Sequence, residues 1–269
     1  MTKMIGYVAL AATALFATSA LADGMPTARG VHIAAAAPAA QCSAAAWSGA
    51  YAGAQIGTAA FSSQVSSDSD YLPGSSIRHD DNNGLMIGGQ IGYNMVRCSS
   101  LFGIEADLAW TNAESTWGLN PLTSNSGAGF AGRSELNWYS SIRTRAGITV
   151  DNLLLYMTGG IAFADIKHSG TATPGNWCEC GGPSSFSNSD TRWGWVVGGG
   201  LEHRLSDRIS VKAEALYTRF EDKGFTFDQS PTFGPGSIAS LKAHDDLVTI
   251  RMGVNFKIGD RAEAYEPLK

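Results

Sequence analysis

Charged residues two positions apart carry the most chemistry in this chain: Glu105 with Asp107, Arg143 with Arg145, Glu202 with Arg204, and Lys212 with Glu214, followed by a lone Arg251. In an extended chain, residues i and i+2 point to one side. Each pair therefore presents two charges on a single face. Facing carboxylates and guanidinium groups can neutralise one another as cross-strand ion pairs. Left open to water, the same groups could line an ion-conducting path. Acyl hydrolysis would need a serine, a histidine and an acid together. The histidines are His32, His79, His168, His203 and His244. His203 has no obvious serine nucleophile beside it. Asp68, Asp70, Asp80 and Asp81 are grouped acids without the ligand spacing of a calcium loop. The cysteines are Cys42, Cys98, Cys178 and Cys180. Two thiols in Cys178-Glu179-Cys180 without a nearby histidine fill only half of a tetrahedral zinc shell. The expectation is therefore no metal and no cofactor.

The elements that position these charges are extended. From Trp47 onward the chain alternates with period two. Leu85, Ile87, Gly89, Ile91, Tyr93 and Met95 fall on one face. Phe102, Ile104, Ala106, Leu108 and Trp110 oppose Gly103, Glu105 and Asp107. Trp138, Ile142, Ala146, Ile148 and Val150 oppose Tyr139, Ser141, Arg143 and Arg145. Val248 to Ile258 sets six apolar residues against Thr249, Arg251, Asn255 and Lys257. Weaker blocks run over 50–61, 153–166, 193–204 and 209–220, which makes eight strands. Their connections alternate in length. Arg97–Ser100, Asp151-Asn152 and Leu205–Arg208 are tight and hold turn formers. The connections over 62–83, 112–136, 167–192 and 221–246 read as long loops rich in Ser, Asn, Gly, Asp and Pro. On this reading His79, His168 and His244 lie in loops, His32 lies in a linker, and His203 faces outward.

Composition narrows the class. Only 16% of the 269 residues are charged, against roughly 25% in an ordinary soluble domain. Glycine numbers 32, and the formal charge of −5 argues against a nucleic-acid partner. Residues 1–22 have the form of a signal peptide, with Lys3, an apolar run and Ala20-Leu21-Ala22 before Asp23. Residues 23–46 read as an Ala/Pro-rich periplasmic linker, 47–258 as the strand region and 259–269 as a C-terminal tail. A soluble up-and-down barrel shares the period but puts its apolar face inside. Here the continuous faces are apolar and the opposite ones hold the charges, which fits an apolar belt toward lipid around a polar interior. Outward aromatics cluster at both ends: Tyr93, Phe102 and Phe256 near the tight turns, and Trp110, Trp138, Phe163, Trp193, Trp195 and Tyr217 near the loops. Such rings suit a membrane–water boundary.

Several segments carry a family likeness: Trp47–Gly53, Gly88–Asn94, Phe102–Asp107, Leu155–Ala162 and Gly253–Phe256. The chain resembles the small outer-membrane β-barrel proteins of Gram-negative bacteria, the porin-like surface antigens, with a barrel similar to that of outer-membrane protein A. The fold class expected is all-β: an eight-stranded antiparallel transmembrane barrel with short periplasmic turns and long extracellular loops. One departure is the stretch Gly259–Lys269 after the last strand, where family members usually end on a terminal aromatic. The resemblance implies outer-membrane localisation with both termini periplasmic, and a monomer in contact with membrane lipid and lipopolysaccharide. It also implies handling by the barrel-assembly machinery.

The function expected is structural and surface-exposed, with porin-like passage of small solutes at low conductance. The alternative is a receptor or adhesin that takes haem or a host component on its loops. A lipid-modifying enzyme is the third reading, and a loop- or rim-facing Ser-His-acid cluster would favour it; the expectation is no enzyme. Inside the barrel, Glu105 and Asp107 should pair with Arg145 and Arg143, Glu202, Arg204, Lys212 and Glu214 should form a second group, and Arg251 should reach Glu214. Eight strands leave room only for side chains, so a paired plug is expected over an open channel. Cys42 and Cys98 fall at one end of the barrel and are expected to pair, as are Cys178 and Cys180, since export permits disulfides.

Overall fold

The computed structural model describes residues 47–67, 78–119, 129–173, 182–228 and 238–259. The segments read as signal peptide and linker, the tail beyond Gly259, and His32, Cys42, Asp68, Asp70, Cys178 and Cys180 lie outside them. Ten antiparallel segments follow one another: β1 (Gly49–Ser67), β2 (Arg78–Arg97), β3 (Ser100–Thr111), β4 (Glu114–Leu119), β5 (Gly129–Val150), β6 (Leu153–Thr173), β7 (Ser184–Arg204), β8 (Ile209–Phe220), β9 (Lys223–Asp228) and β10 (Ile238–Ile258). They form eight barrel strands. β3 and β4 are two halves of one strand broken at Asn112-Ala113, and both pair with β2 and β5. β8 and β9 are likewise broken at Glu221-Asp222 and both pair with β10. β1 pairs with β2 on one side and β10 on the other, which closes the ring.

The tight turns lie where the sequence puts them. Cys98 and Asp151 adopt φ of 56° and 52°, the left-handed conformation of a two-residue hairpin whose twist matches the strands. The other end differs from expectation. The segments read as long loops are largely strand: β1 continues to Ser67, β6 to Thr173, and β7 and β10 begin at Ser184 and Ile238. His168 and His244 are therefore strand residues on β6 and β10, and His79, Asp80 and Asp81 belong to β2.

The reason is an inversion of polarity along each strand. On β10, Val248, Ile250, Met252, Val254 and Phe256 face outward while Thr249, Arg251 and Asn255 are buried inside. From Val248 to Ile258 this outward face spans what a tilted strand needs to cross hydrocarbon, roughly 9–11 residues. Beyond Leu247 the parity is unchanged but the chemistry swaps. Leu241, Ala243 and Leu247 are buried, while Lys242, His244 and Asp246 face out. β6 does the same. Leu155, Met157 and Ile161 face out in one half; in the other, Ala164 and Ile166 are buried inside and Asp165 and Lys167 stand outside. One half of the barrel is built for lipid and the other for water. Outward Trp110, Trp193 and Trp195 stand near the join, with Trp138, Phe163 and Tyr217 partly covered beside them, and Tyr93, Phe102 and Phe256 face out near the tight turns.

Candidate functional site

The interior is the chemically richest region, and it is layered. Nearest the tight turns Trp47, Leu101, Leu154 and Tyr156 form an apolar stopper. The Trp47 indole donates to Asp151 O at 3.4 Å. A cavity of about 30 Å³ beside it is the space of roughly one water.

Above the stopper sits the charged layer. Glu105, Asp107, Glu202 and Glu214 meet Arg143, Arg145, Lys212 and Arg251, all buried, so four negative charges balance four positive ones. Arg143 bridges three acids, donating Nη1 to Glu214 Oε1 at 2.8 Å and Nη2 to Asp107 Oδ2 at 3.0 Å and to Glu105 Oε1. Arg145 donates Nη2 to Glu202 Oε2 at 2.8 Å and Nη1 to the Tyr51 hydroxyl at 2.6 Å. Its guanidinium lies 3.9 Å from the centre of the Tyr156 ring, a cation–π contact. Lys212 Nζ reaches both oxygens of Glu105, at 2.9 and 3.0 Å. Arg251 donates Nε to Glu214 Oε2 at 2.8 Å and Nη1 to Asp107 Oδ1 at 3.2 Å.

Two details differ from the sequence reading. The register sets Glu105 opposite Arg143 and Asp107 opposite Ser141, two residues from the expected alignment. Glu202 and Lys212 are opposite each other in register, yet the lysine crosses the lumen to Glu105 and Glu202 takes Arg145, Ser210 and Asn255. In a narrow ring the opposite wall is within a side chain's reach, so ion pairs need not stay within a hairpin. Arg204 is not part of this cluster. It is partly exposed at the turn end, donates to Asn152 Oδ1 at 2.7 Å, and lies over the Trp47 ring.

Glycines make room for the network. A β-carbon on Gly92 would stand 2.4 Å from the Tyr51 ring, and one on Gly200 would stand 2.7 Å from the Tyr156 hydroxyl. Within the Gly198-Gly199-Gly200 run, the last residue therefore seats the ring that stacks on Arg145.

The third layer is apolar: Phe61, Met86, Leu136, Tyr139, Ile166, Val196, Leu216, Phe220 and Leu247 pack with five alanines. A polar interior was expected throughout, but this half of the lumen is a hydrophobic core. Beyond it lies a small polar layer that sequence reasoning missed. Ser134 Oγ is 2.8 Å from His168 Nδ1 and donates to Ser63 Oγ at 3.1 Å, while the Trp117 indole donates to it at 3.2 Å. His168 Nε2 is 3.6 Å from Asp245 Oδ2, and Arg192 Nη1 pairs with the same oxygen. Serine, histidine and acid thus meet, but inside the wall and not at the rim. Ser134 is fully buried, and its hydroxyl is already engaged on three sides. Among the described residues no group of three or more metal-ligating side chains converges. Cys98 is disulfide-bonded, and its partner lies outside the described residues.

A closed antiparallel ring with an apolar outer belt, aromatic bands and a charge-paired interior defines the class: a transmembrane β-barrel. The profile of the outer membrane protein beta-barrel domain family matches residues 8–256, and the chain belongs to that family. It is 28% identical over 255 residues to the 31 kDa outer-membrane immunogenic protein of Brucella melitensis, covering 91% of this chain and 95% of the relative. It is 27% identical over 171 residues to the 22 kDa outer membrane protein of Rhizobium leguminosarum, covering 63% and 66% of the two chains. Among solved structures, the outer membrane protein OprG of Pseudomonas aeruginosa superposes with a TM-score of 0.50 at 12% identity, over 80% of this chain and 99% of that one. That likeness is one of fold.

Proposed function

We propose that this protein is a closed-lumen, surface-exposed structural barrel of the outer membrane, monomeric, with its tight turns and both termini in the periplasm. The single observation that carries the reading is the filled interior. A stopper, a charge-balanced cluster and a hydrophobic core occupy the lumen in succession, and a continuous water path would have to break all three. Passage of small solutes is then limited to rare openings of the cluster. On this reading lipid and the lipopolysaccharide headgroups meet the aromatic bands and the outward charges just beyond them, and the assembly machinery inserts the strands. The Ser134–His168–Asp245 contact serves packing, because no substrate carbonyl can approach a fully buried hydroxyl. The experiment is planar-bilayer recording of protein purified to homogeneity. Conductance far below that of a general porin supports the reading; stable porin-sized steps refute it. A receptor role is the second reading, and a cleft in the barrel wall favours it.

A further inference from the structure

The barrel wall has a seam on its water-facing half. β7 and β8 form a continuous ladder from Arg204 opposite Ser210 up to Gly194 opposite Phe220. A last link, Glu221 N donating to Trp193 O at 3.0 Å, ends it. From there β9 stays with β10 and β7 stays with β6. Among the described residues no backbone ladder joins β7 to β9. One ion pair crosses the base of the seam, Lys223 Nζ to Asp190 Oδ2 at 2.8 Å. The hydrogen bond from Lys223 holds the Asp190 carboxyl below the usual carboxylate range. Beside this clasp lies a cavity of about 540 Å³, lined by Phe186, Ser187 and Asn188 of β7, Gly224 and Thr226 of β9, and Ser240 of β10. Its volume is that of a small-molecule site, roughly 300–1,000 Å³.

The lining selects by chemistry. It offers hydroxyls from Ser187, Thr226 and Ser240, the amide oxygen of Asn188, whose Nδ2 donates to Asp190 Oδ2 at 2.9 Å, and the ring of Phe186, with no charged side chain among the described lining residues. The charges beside it are paired: Asp190 with Lys223 at 2.8 Å, and Lys242, which stands opposite Gly224, with Asp222 at 3.5 Å. An ionic ligand would have to break one of these pairs to find a counter-charge. A purely apolar one would bury hydroxyls and an amide oxygen without partners, which is unfavourable. A hydroxyl-rich neutral molecule matches both needs: its O–H groups exchange hydrogen bonds with the side chains and the two strand edges, and its C–H face lies on an aromatic ring. The Phe186 ring is held for that role. It packs over Gly170, where an added β-carbon would stand 2.5 Å from Phe186 Cε1, and lies 6.4 Å from the Trp117 ring.

We propose that the β7–β9 cleft binds a neutral saccharide of a few rings. The inference rests on the surface-exposed reading for its biological meaning, but the site itself is testable in purified protein. The probe is an array of neutral, sialylated and sulfated oligosaccharides presented to the protein in lipid nanodiscs. Saturable binding of neutral glycans is expected. Thr226→Trp, which fills the cleft, should abolish it, and Asn188→Ala should weaken it at least tenfold. Gln64→Ala, on the outer face of β1, should leave it unchanged. Heat-modifiable gel mobility confirms that each variant is folded. The proposal is overturned if no neutral glycan binds, if only charged glycans bind, or if Thr226→Trp binds like wild type. It is also overturned if extended peptides and not saccharides protect the β7 and β9 amides from exchange. Labelling of Ser187→Cys on intact cells tests surface exposure separately, so the two readings fail independently.

Discussion

Replacing Arg143 and Arg145 together by methionine should leave the charged layer with four acids and two bases. Glu105, Asp107 and Glu214 lose the contacts of Arg143, and Glu105 and Glu202 lose those of Arg145. Breaking one buried ion pair by removing a partner costs about 3–5 kcal/mol, because a charge is left buried and uncompensated. The two losses share Glu105 and will not simply add. At least about 3 kcal/mol is expected for the double variant, a large share of a total stability of roughly 5–15 kcal/mol. The assay is urea unfolding in detergent micelles followed by heat-modifiable gel mobility, alongside bilayer conductance. The midpoint should fall, or water and cations should enter the acidic layer and raise conductance. Adding Glu105→Gln and Glu202→Gln to the double variant restores balance, leaving Asp107 and Glu214 with Arg251 and Lys212. That quadruple variant should recover much of the loss. A double variant with unchanged midpoint and conductance would refute the coupling, and a quadruple no better than the double would refute charge balance as its cause.

Three further outcomes follow from other layers. Ile250→Lys should cut membrane yield sharply, since a cation facing lipid at the midplane costs about 2–4 kcal/mol, whereas His244→Lys on the same face of β10 should assemble normally; equal yields would contradict the polarity inversion. Gly92→Ala should lower the unfolding free energy by about 1–3 kcal/mol through overpacking against the Tyr51 ring, while Gly89→Ala, where the nearest atom to an added β-carbon is Gly53 O at 3.4 Å, should be mild; equal effects would show that Tyr51 is free to move. Non-reducing peptide mapping should join Cys98 to Cys42, as proposed from their shared end of the chain's topology, and a Cys98 peptide bridged to Cys178 or Cys180 would sink that topology.

Much of the barrel was written in local pattern. The period-two faces around Ile104, Ile142 and Ile250 carry their own burial signal, and tight turns such as Asp151-Asn152 depend on residues adjacent in sequence. The broken strands were not legible, because Asn112-Ala113 and Glu221-Asp222 interrupt pairing without a glycine or proline to mark the break. The water-facing half was misread as loop for a different reason. Lys242, His244 and Asp246 alternate with Leu241, Ala243 and Leu247 as regularly as in any soluble strand, but the apolar parity is opposite to that of Val248–Phe256. A search for one continuous apolar face ends where the solvent changes. Alternation along the chain, then, determined the eight-stranded class, the lipid-facing belt and the eight charges of the buried layer, but not Arg192 and Asp245 beyond it. Which carboxylate meets which guanidinium, the exclusion of Arg204, the Ser134–His168–Asp245 contact and the β7–β9 seam were decided only by the closed ring. They join residues as far apart as Asp107 and Arg251, 144 positions away, and local pattern holds no information about what stands across a lumen.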